Sequence, residues 1–393
     1  MKILIASDLY WPTINGVATF SRNLAIGLAK NGHEVMVIAP SQTGKKQRET
    51  DENYEIVRTA SIPFTFYQNF KISLNPYRDV KKVIDEFQPD VIHIQMLMMI
   101  GQATMKYGHK CGIPIVTTNH AMPENLLDNL KLLAPFAKPI SYMLKAYGMR
   151  FHSKADYVTM PTQAAIDMFV DDAKNLDVPL EAVSNGIDLS RFKPTPAPKT
   201  TFEKFKLPND VPIIYYVGRL DGEKHVSVLI RAFVRVMSAR KVHLMLVGDG
   251  TDVENLKSLA RELGVLRDIT FTGRVKYEGE DLVNLHKAGT VFCMPSPAEL
   301  QSIAMLEAMA SGKPVVAVDA GALKELCQNE RNGYLCEQDN DEQIANGLLN
   351  IISDPKLREK MSKESLAIAH THDIERTIER FEEIYSSLIN TYN

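Results

Sequence analysis

Thr290-Val291-Phe292-Cys293-Met294-Pro295-Ser296-Pro297-Ala298-Glu299-Leu300-Gln301-Ser302-Ile303-Ala304-Met305-Leu306-Glu307-Ala308-Met309-Ala310-Ser311-Gly312-Lys313-Pro314-Val315-Val316-Ala317 reads as one β–α–β unit. The run to Met294 has the uninterrupted apolar character of a strand buried on both faces. A proline-containing turn follows, then a helix near 302–311 and a second buried strand at 314–317. Strands that alternate with helices in this way pair in parallel and are covered by helices.

The same cadence runs through both halves of the chain. Ile213–Val217, His243–Val247 and Ile269–Phe271 are further strands of the second half. In the first half the strands are Lys2–Ser7, Glu34–Ala39, Val91–Ile94 and Pro114–Thr118. Helical spacing runs from Phe20 to Lys30, with Leu24, Ala25 and Leu28 on one side, and Asn31-Gly32 supplies a left-handed stop. A further helix is expected near 101–111. Lys193-Pro194-Thr195-Pro196-Ala197-Pro198 is a proline-stiffened connector. The closing segment has helical spacing at Ile378, Phe381, Ile384, Tyr385 and Leu388, and is expected to pack back across the first half. The fold class is therefore α/β, with two doubly wound parallel-sheet domains. Domain 1–188 and domain 189–373 are followed by a C-terminal helix, 374–393. Two such halves are expected to face each other across a cleft at the carboxyl ends of their strands, where these folds bind ligands.

The 393 residues carry 45 basic and 48 acidic groups, a net charge of −3 that gives no electrostatic case for nucleic acid. Cys111, Cys293, Cys327 and Cys336 form no CxxC pair and have no histidine at a zinc-ligand spacing. That argues for a reducing compartment and against structural metal or a disulfide scaffold. No apolar run reaches the roughly 18–20 residues of a membrane span, and Lys2, Asp8 and Arg22 interrupt any signal-peptide core. A cytoplasmic location is expected. Residues 1–193 hold 21 basic groups against 19 acidic, and 194–393 hold 24 against 29.

Three places carry chemistry. The first βα turn, Asp8-Leu9-Tyr10-Trp11-Pro12-Thr13-Ile14-Asn15-Gly16-Val17, lacks GxGxxG, which speaks against an NAD oxidoreductase. Gly16 lies just before a helix, where backbone N–H groups face an anion; a glycine that merely relieves a turn is the other reading. Gly218-Arg219, with Lys224 beyond, places two cations after a strand, either to neutralise a diphosphate or as solvated surface charge. Glu299 falls in the loop before the helix near 302–311. Glu307 shares that helix with Ile303, Leu306 and Ala310 and needs a partner, for which sugar or ribose hydroxyls serve. A glutamate snorkelling to solvent is the alternative.

With seven residues between Glu299 and Glu307, and Ala308-Met309-Ala310-Ser311-Gly312-Lys313-Pro314-Val315-Val316 following, the chain resembles the family-4 retaining glycosyltransferases of GT-B type. The likeness extends over Gly16, His120, Asn185-Gly186-Ile187-Asp188, Gly218-Arg219, Lys224, Gly248-Asp249-Gly250 and Phe271-Thr272-Gly273. It implies two Rossmann-like domains and a nucleotide-sugar donor as co-substrate, with no cofactor. Arg219 and Lys224 would bind the diphosphate, backed by Gly16, Gly218 and Gly248. Glu307 would hold the ribose and Glu299 a sugar hydroxyl. Backbone N–H groups of Leu300, Gln301, Ser302 and Ile303 would grip phosphate and sugar. Arg274 and Val275 would meet the base, and His120 would line the reaction centre. Gln301 stands where the family commonly has an aromatic, which leaves the sugar open.

The resemblance implies retention at the anomeric carbon, and no carboxylate nucleophile stands beside His120. Front-face substitution is therefore expected, with Arg219 and Lys224 in place of a divalent metal. Ile62-Pro63-Phe64-Thr65-Phe66-Tyr67-Gln68-Asn69-Phe70-Lys71 and Met122 to Lys138 mix aromatic, apolar and basic residues, as at a membrane interface or in a loop turned into the core. Met96, Met98 and Met99 read as core, with a pliable acceptor wall as the other possibility. The expected reaction moves a hexose, from a UDP-sugar in preference to a GDP-sugar, to a lipid such as diacylglycerol at an anionic membrane surface. The protein would be a peripheral monomer or homodimer. Transfer to a small hydroxy acid or inositol phosphate is the alternative, and a sugar-nucleotide epimerase the more distant one.

Overall fold

In the computed structural model, which describes residues 1–13, 15–64, 70–120, 137–169 and 177–392, the chain divides into two units. One holds Met1–Gly186 with Ile374–Asn393, the other Ile187–Asp373.

The first unit contains β1 (Lys2–Ala6), α1 (Gly16–Lys30), β2 (Glu34–Pro40), β3 (Gln47–Asp51), β4 (Tyr54–Thr59), β5 (Ser61–Pro63) and β6 (Lys71–Ser73). It continues through α2 (Tyr77–Phe87), β7 (Val91–Ile94), α3 (Met99–Cys111), β8 (Ile115–Thr118), α4 (Ala137–His152), β9 (Tyr157–Met160), α5 (Gln163–Met168) and β10 (Leu180–Ala182). The main sheet runs β10-β9-β8-β7-β1-β2-β4-β3. Every pairing in it is parallel except β3 with β4. Its register sets Ile5 opposite both Val37 and His93. The sequence of β3, Gln47-Arg48-Glu49-Thr50-Asp51, has no apolar residue because the strand is an edge. Its charges block further pairing.

α1 begins at Gly16 rather than near Phe20. The Asn15 side chain accepts the N–H of Ala18 at 2.8 Å, a cap worth about 1 kcal/mol. Gly16 is thus the first residue of the helix, not the one before it. α3 begins at Met99 because the Asp8 carboxylate receives the N–H groups of Ile100 (2.8 Å) and Gly101 (3.1 Å). Met96 and Met98 are half-buried and Met99 is 46% exposed, so these three are not core.

The second unit contains α6 (Lys199–Phe205), β11 (Ile213–Val217), α7 (Val226–Ala239), β12 (His243–Val247), α8 (Val253–Glu262), β13 (Ile269–Gly273) and α9 (Glu280–Ala288). β14 (Val291–Met294), α10 (Ile303–Ala310), β15 (Val315–Val318), α11 (Leu323–Leu326), β16 (Gly333–Cys336), α12 (Asp341–Ser353) and α13 (Pro355–Thr371) complete it. The sheet order is β13-β12-β11-β14-β15-β16, parallel throughout. The order reverses between β11 and β14, and the carboxyl ends of strands flanking such a reversal form a ligand crevice.

α14 (Ile374–Tyr392) belongs to the first unit. It buries Ile378, Phe381, Ile384 and Tyr385. A full Phe or Ile burial is worth about 2 kcal/mol. Gly27 on α1 admits this helix: a Cβ there would lie 2.0 Å from Ile378 Cδ1.

Candidate active site

In the second unit the candidate residues Gly218, Arg219, Lys224, Gly248 and Glu299 follow the carboxyl ends of β11, β12 and β14. Gly218 follows β11 with φ +155°, and a Cβ would meet the Tyr216 hydroxyl at 2.5 Å. Gly248 follows β12 with φ +141°, and a Cβ there would stand 1.9 Å from the Gly218 carbonyl oxygen. Two strand ends approach this closely only without side chains. Gly248 also bridges to Gly273, which brings the exposed Arg274 and half-buried Val275 beside the same edge.

Lys224 and Glu299 are brought together: Lys224 Nζ lies 2.7 Å from Glu299 Oε1, with side chains 12% and 16% exposed. Arg219 pairs with Asp221 and Glu223, both buried. Asp221 also accepts the N–H (2.7 Å) and hydroxyl (2.8 Å) of Thr251. The two cations are therefore not a surplus of solvated charge, since each faces at least one carboxylate. Asp221 and Glu223 went unnoticed in the sequence, although Arg219 to Lys224 holds both within one short turn.

The loop from Glu299 is pinned by its backbone. Glu299 accepts the N–H of Ala322 at 2.9 Å, and Gly321, at φ +55°, passes where a Cβ would be 2.5 Å from the Glu299 carbonyl oxygen. Leu300, Gln301 and Ser302 are buried, Ile303 is half-buried, and Ser302 Oγ caps α10 by accepting the N–H of Met305 at 3.2 Å. Glu307 is buried rather than snorkelling, at 2% exposure. Its Oε2 lies 3.1 Å from His286 Nε2, while Oε1 is buried with no partner among the described residues. His286 was also missed. Its signal was a histidine on the same helical stripe as Leu282, Val283 and Leu285.

In the first unit His120 follows β8. Its Nε2 lies 2.9 Å from Gln95 Oε1, and its ring packs 4.9 Å from Phe20. Burial and the nearby His152 push its pKa down to about 3. Burial holds His152 at about 4, and burial with the neighbouring His120 holds His93 at about 3. Three neutral imidazoles therefore lie on or beside β7 and β8. His93 is fixed from both sides, Nδ1 2.6 Å from the Tyr385 hydroxyl of α14 and Nε2 2.7 Å from Thr118 Oγ1. Gly16 is exposed at the start of α1.

The stretches expected at a membrane surface divide. Phe70 is buried and packs edge-on with Phe64 at 5.6 Å, which is the core reading. Residues 65–69 and 121–136 lie outside the described residues, as does the Lys138 side chain. α4, just beyond, exposes Tyr142 (71%), Met143 (61%) and Tyr147 (50%). Among the described residues no helix is long and apolar enough to cross a membrane.

The two halves match two families in turn: "Glycosyltransferase Family 4" over residues 14–191 and "Glycosyl transferases group 1" over residues 198–366. The chain belongs to the family-4 glycosyltransferases. It is 25% identical to the alpha-monoglucosyldiacylglycerol synthase of Streptococcus pneumoniae, over 93% of this chain and 82% of that protein. It is 28% identical to the GDP-mannose-dependent alpha-mannosyltransferase of Mycolicibacterium smegmatis, over 86% and 85%. Anabaena HepE, solved in complex with UDP and glucose, superposes with a TM-score of 0.75 at 19% identity, over 98% of this chain and all of that one. This glycosyltransferase therefore has the GT-B architecture of two parallel-sheet Rossmann-like units.

Proposed function

We propose that this glycosyltransferase is a retaining hexosyltransferase that works without metal and moves a sugar from UDP-hexose to a hydroxyl of a membrane lipid such as diacylglycerol. The observation that carries the donor half is the Lys224–Glu299 pair, which ties the loop after β11, with Arg219 on that same loop, to the loop after β14. Lys224 donates one ammonium N–H to Glu299, and an incoming diphosphate accepts from its other N–H groups. Arg219 keeps its fork oriented by Asp221 and Glu223 while meeting the same diphosphate. Gly218 and Gly248 clear room for the phosphates. The N–H groups of Leu300, Gln301, Ser302 and Ile303 face phosphate and sugar at the start of α10. Arg274 and Val275 flank the base. Glu299 accepts from a sugar hydroxyl, and Glu307 from the ribose.

In the transfer, the bond from the anomeric carbon to the phosphate oxygen breaks as the acceptor oxygen bonds to the same face. The acceptor proton passes to the departing diphosphate oxygen. Charge grows on the diphosphate, so fixed cations there lower the barrier; removing one such group typically costs about 3 kcal/mol. His120 is neutral at working pH. It acts by hydrogen bonding on the acceptor side, not as a charged acid.

The lipid acceptor is supported by the exposed aromatic and apolar face of α4, in the same unit as His120. The name of the pneumococcal relative supports it also. The test is transfer from UDP-glucose, UDP-galactose and GDP-mannose to diacylglycerol in anionic mixed micelles, with glyceric acid and inositol phosphate in parallel. Product on the lipid alone supports the proposal. Product on the soluble acceptors alone overturns its acceptor half.

A further inference from the structure

His286 sits on the buried face of α9 with no exposed surface. Its Nδ1 lies 3.1 Å from the hydroxyl of Tyr215 on β11, and its Nε2 lies 3.1 Å from Glu307 Oε2 on α10. Phe192 and Tyr215 each present an edge-on ring 5.5 Å away and hold the imidazole plane. Glu307 is thus tied by one oxygen, while Oε1 remains buried with no partner among the described residues.

A glutamate on a helix has three rotatable bonds, and a buried carboxylate oxygen without a donor is costly. That arrangement persists only if something fixes the rotamer and a ligand completes the oxygen's coordination. We propose that His286, backed by Tyr215, is a positioning residue that presents Glu307 Oε1 to the vicinal diol of the nucleoside sugar. This rests on the donor reading above. The proton order follows from the inventory of groups. A carboxylate only accepts, so Nε2 carries the hydrogen; in the neutral imidazole Nδ1 is then the acceptor for the phenol. Burial and the nearby Glu307 carboxylate keep the Tyr215 phenol protonated, as this order requires. The network crosses three elements, β11, α9 and α10, so the carboxylate is referenced to the sheet instead of to its own helix.

The full-length protein is titrated calorimetrically with UDP and 2′-deoxy-UDP, and with GDP and 2′-deoxy-GDP, comparing wild type with His286→Leu and His286→Gln. Wild type is expected to favour the ribonucleotide roughly tenfold or more, as a site built around a hydroxyl does. His286→Leu is expected to bind the deoxy form within about twofold of wild type while losing most of that preference. His286→Gln, whose amide N–H replaces Nε2–H, is expected to restore it. Equal ribose preference in wild type and His286→Leu overturns the role of His286 and leaves the donor reading standing. No preference in wild type removes Glu307 from the diol and takes the donor reading with it. Should His286→Leu fail to fold, Tyr215→Phe decides: it keeps the ring but removes the proton donated to Nδ1, and an unchanged preference there overturns the proposal.

Discussion

Lys224 Nζ and Glu299 Oε1 stand 2.7 Å apart, joining the loop after β11 to the loop after β14 across the point where the strand order reverses. Each group is mostly buried, so removing one strands the other. Lys224→Met and Glu299→Gln are each expected to lower turnover roughly tenfold or more, and the double variant to fall well short of the product of the two losses. A double-mutant cycle on initial rates measures this. Strict multiplicativity would show that the pair does not act as a unit.

The glycines at the strand ends give a second expectation. A Cβ on Gly248 would collide with the Gly218 carbonyl, and φ at +141° disfavours any other residue. Gly248→Ala is expected to cost at least about 2 kcal/mol, lowering the midpoint by several degrees, and to weaken nucleotide binding as β11 and β12 separate. Thermal melts with and without UDP check it. An unchanged melt would mean the two loops have slack that their geometry does not show.

Acidification gives a third. His93, His120 and His152 titrate near 3, 3 and 4 when folded, against about 6.5 in an open chain. As pH falls below about 6.5 the unfolded chain takes up these protons first and stability drops. Asp8 runs the other way: burial outweighs the N–H groups it accepts and raises its pKa to about 6, so the folded form binds its proton first. Three groups against one leave a net slope of roughly 3 kcal/mol per pH unit between about pH 4 and 6. Denaturation midpoints of the full chain across that range check the sign. A flat profile would show that the histidines are solvated.

Much of this was legible in advance, and the failures have physical causes. The strands β1, β2, β7, β11, β12, β14 and β15 are buried on both faces, so their apolar runs stood out. β3 was invisible because an edge strand is selected for charge, and β9, β10 and β16 lack an unbroken aliphatic run, with Thr159, Glu181 and Gly333 among their residues. The start of α1 was misplaced because Asn15 caps an otherwise unremarkable Gly16-Val17. Glu299 and Glu307 were found by spacing. Their pairings were not: Lys224, itself singled out, meets Glu299 from a loop 75 residues earlier in the chain, and His286, which was not, meets Glu307 from a different helix. Contacts between elements leave no local pattern.

A fourth prediction concerns α4. Replacing Tyr142, Met143 and Tyr147 with Ser removes its exposed aromatic and apolar groups without touching the core. Flotation with vesicles containing phosphatidylglycerol is expected to fall roughly tenfold, while UDP affinity and the melting midpoint stay put. Undiminished flotation would move the membrane contact elsewhere.

The most direct measurement compares UDP with uridine, and GDP with guanosine, on wild type and on an Arg219→Ala, Lys224→Ala double variant. If the diphosphate is seated on these two cations, wild type prefers one diphosphate to its nucleoside by roughly a hundredfold, and the double variant loses most of that margin while still binding the nucleoside. A margin that survives intact in the double variant would contradict the account.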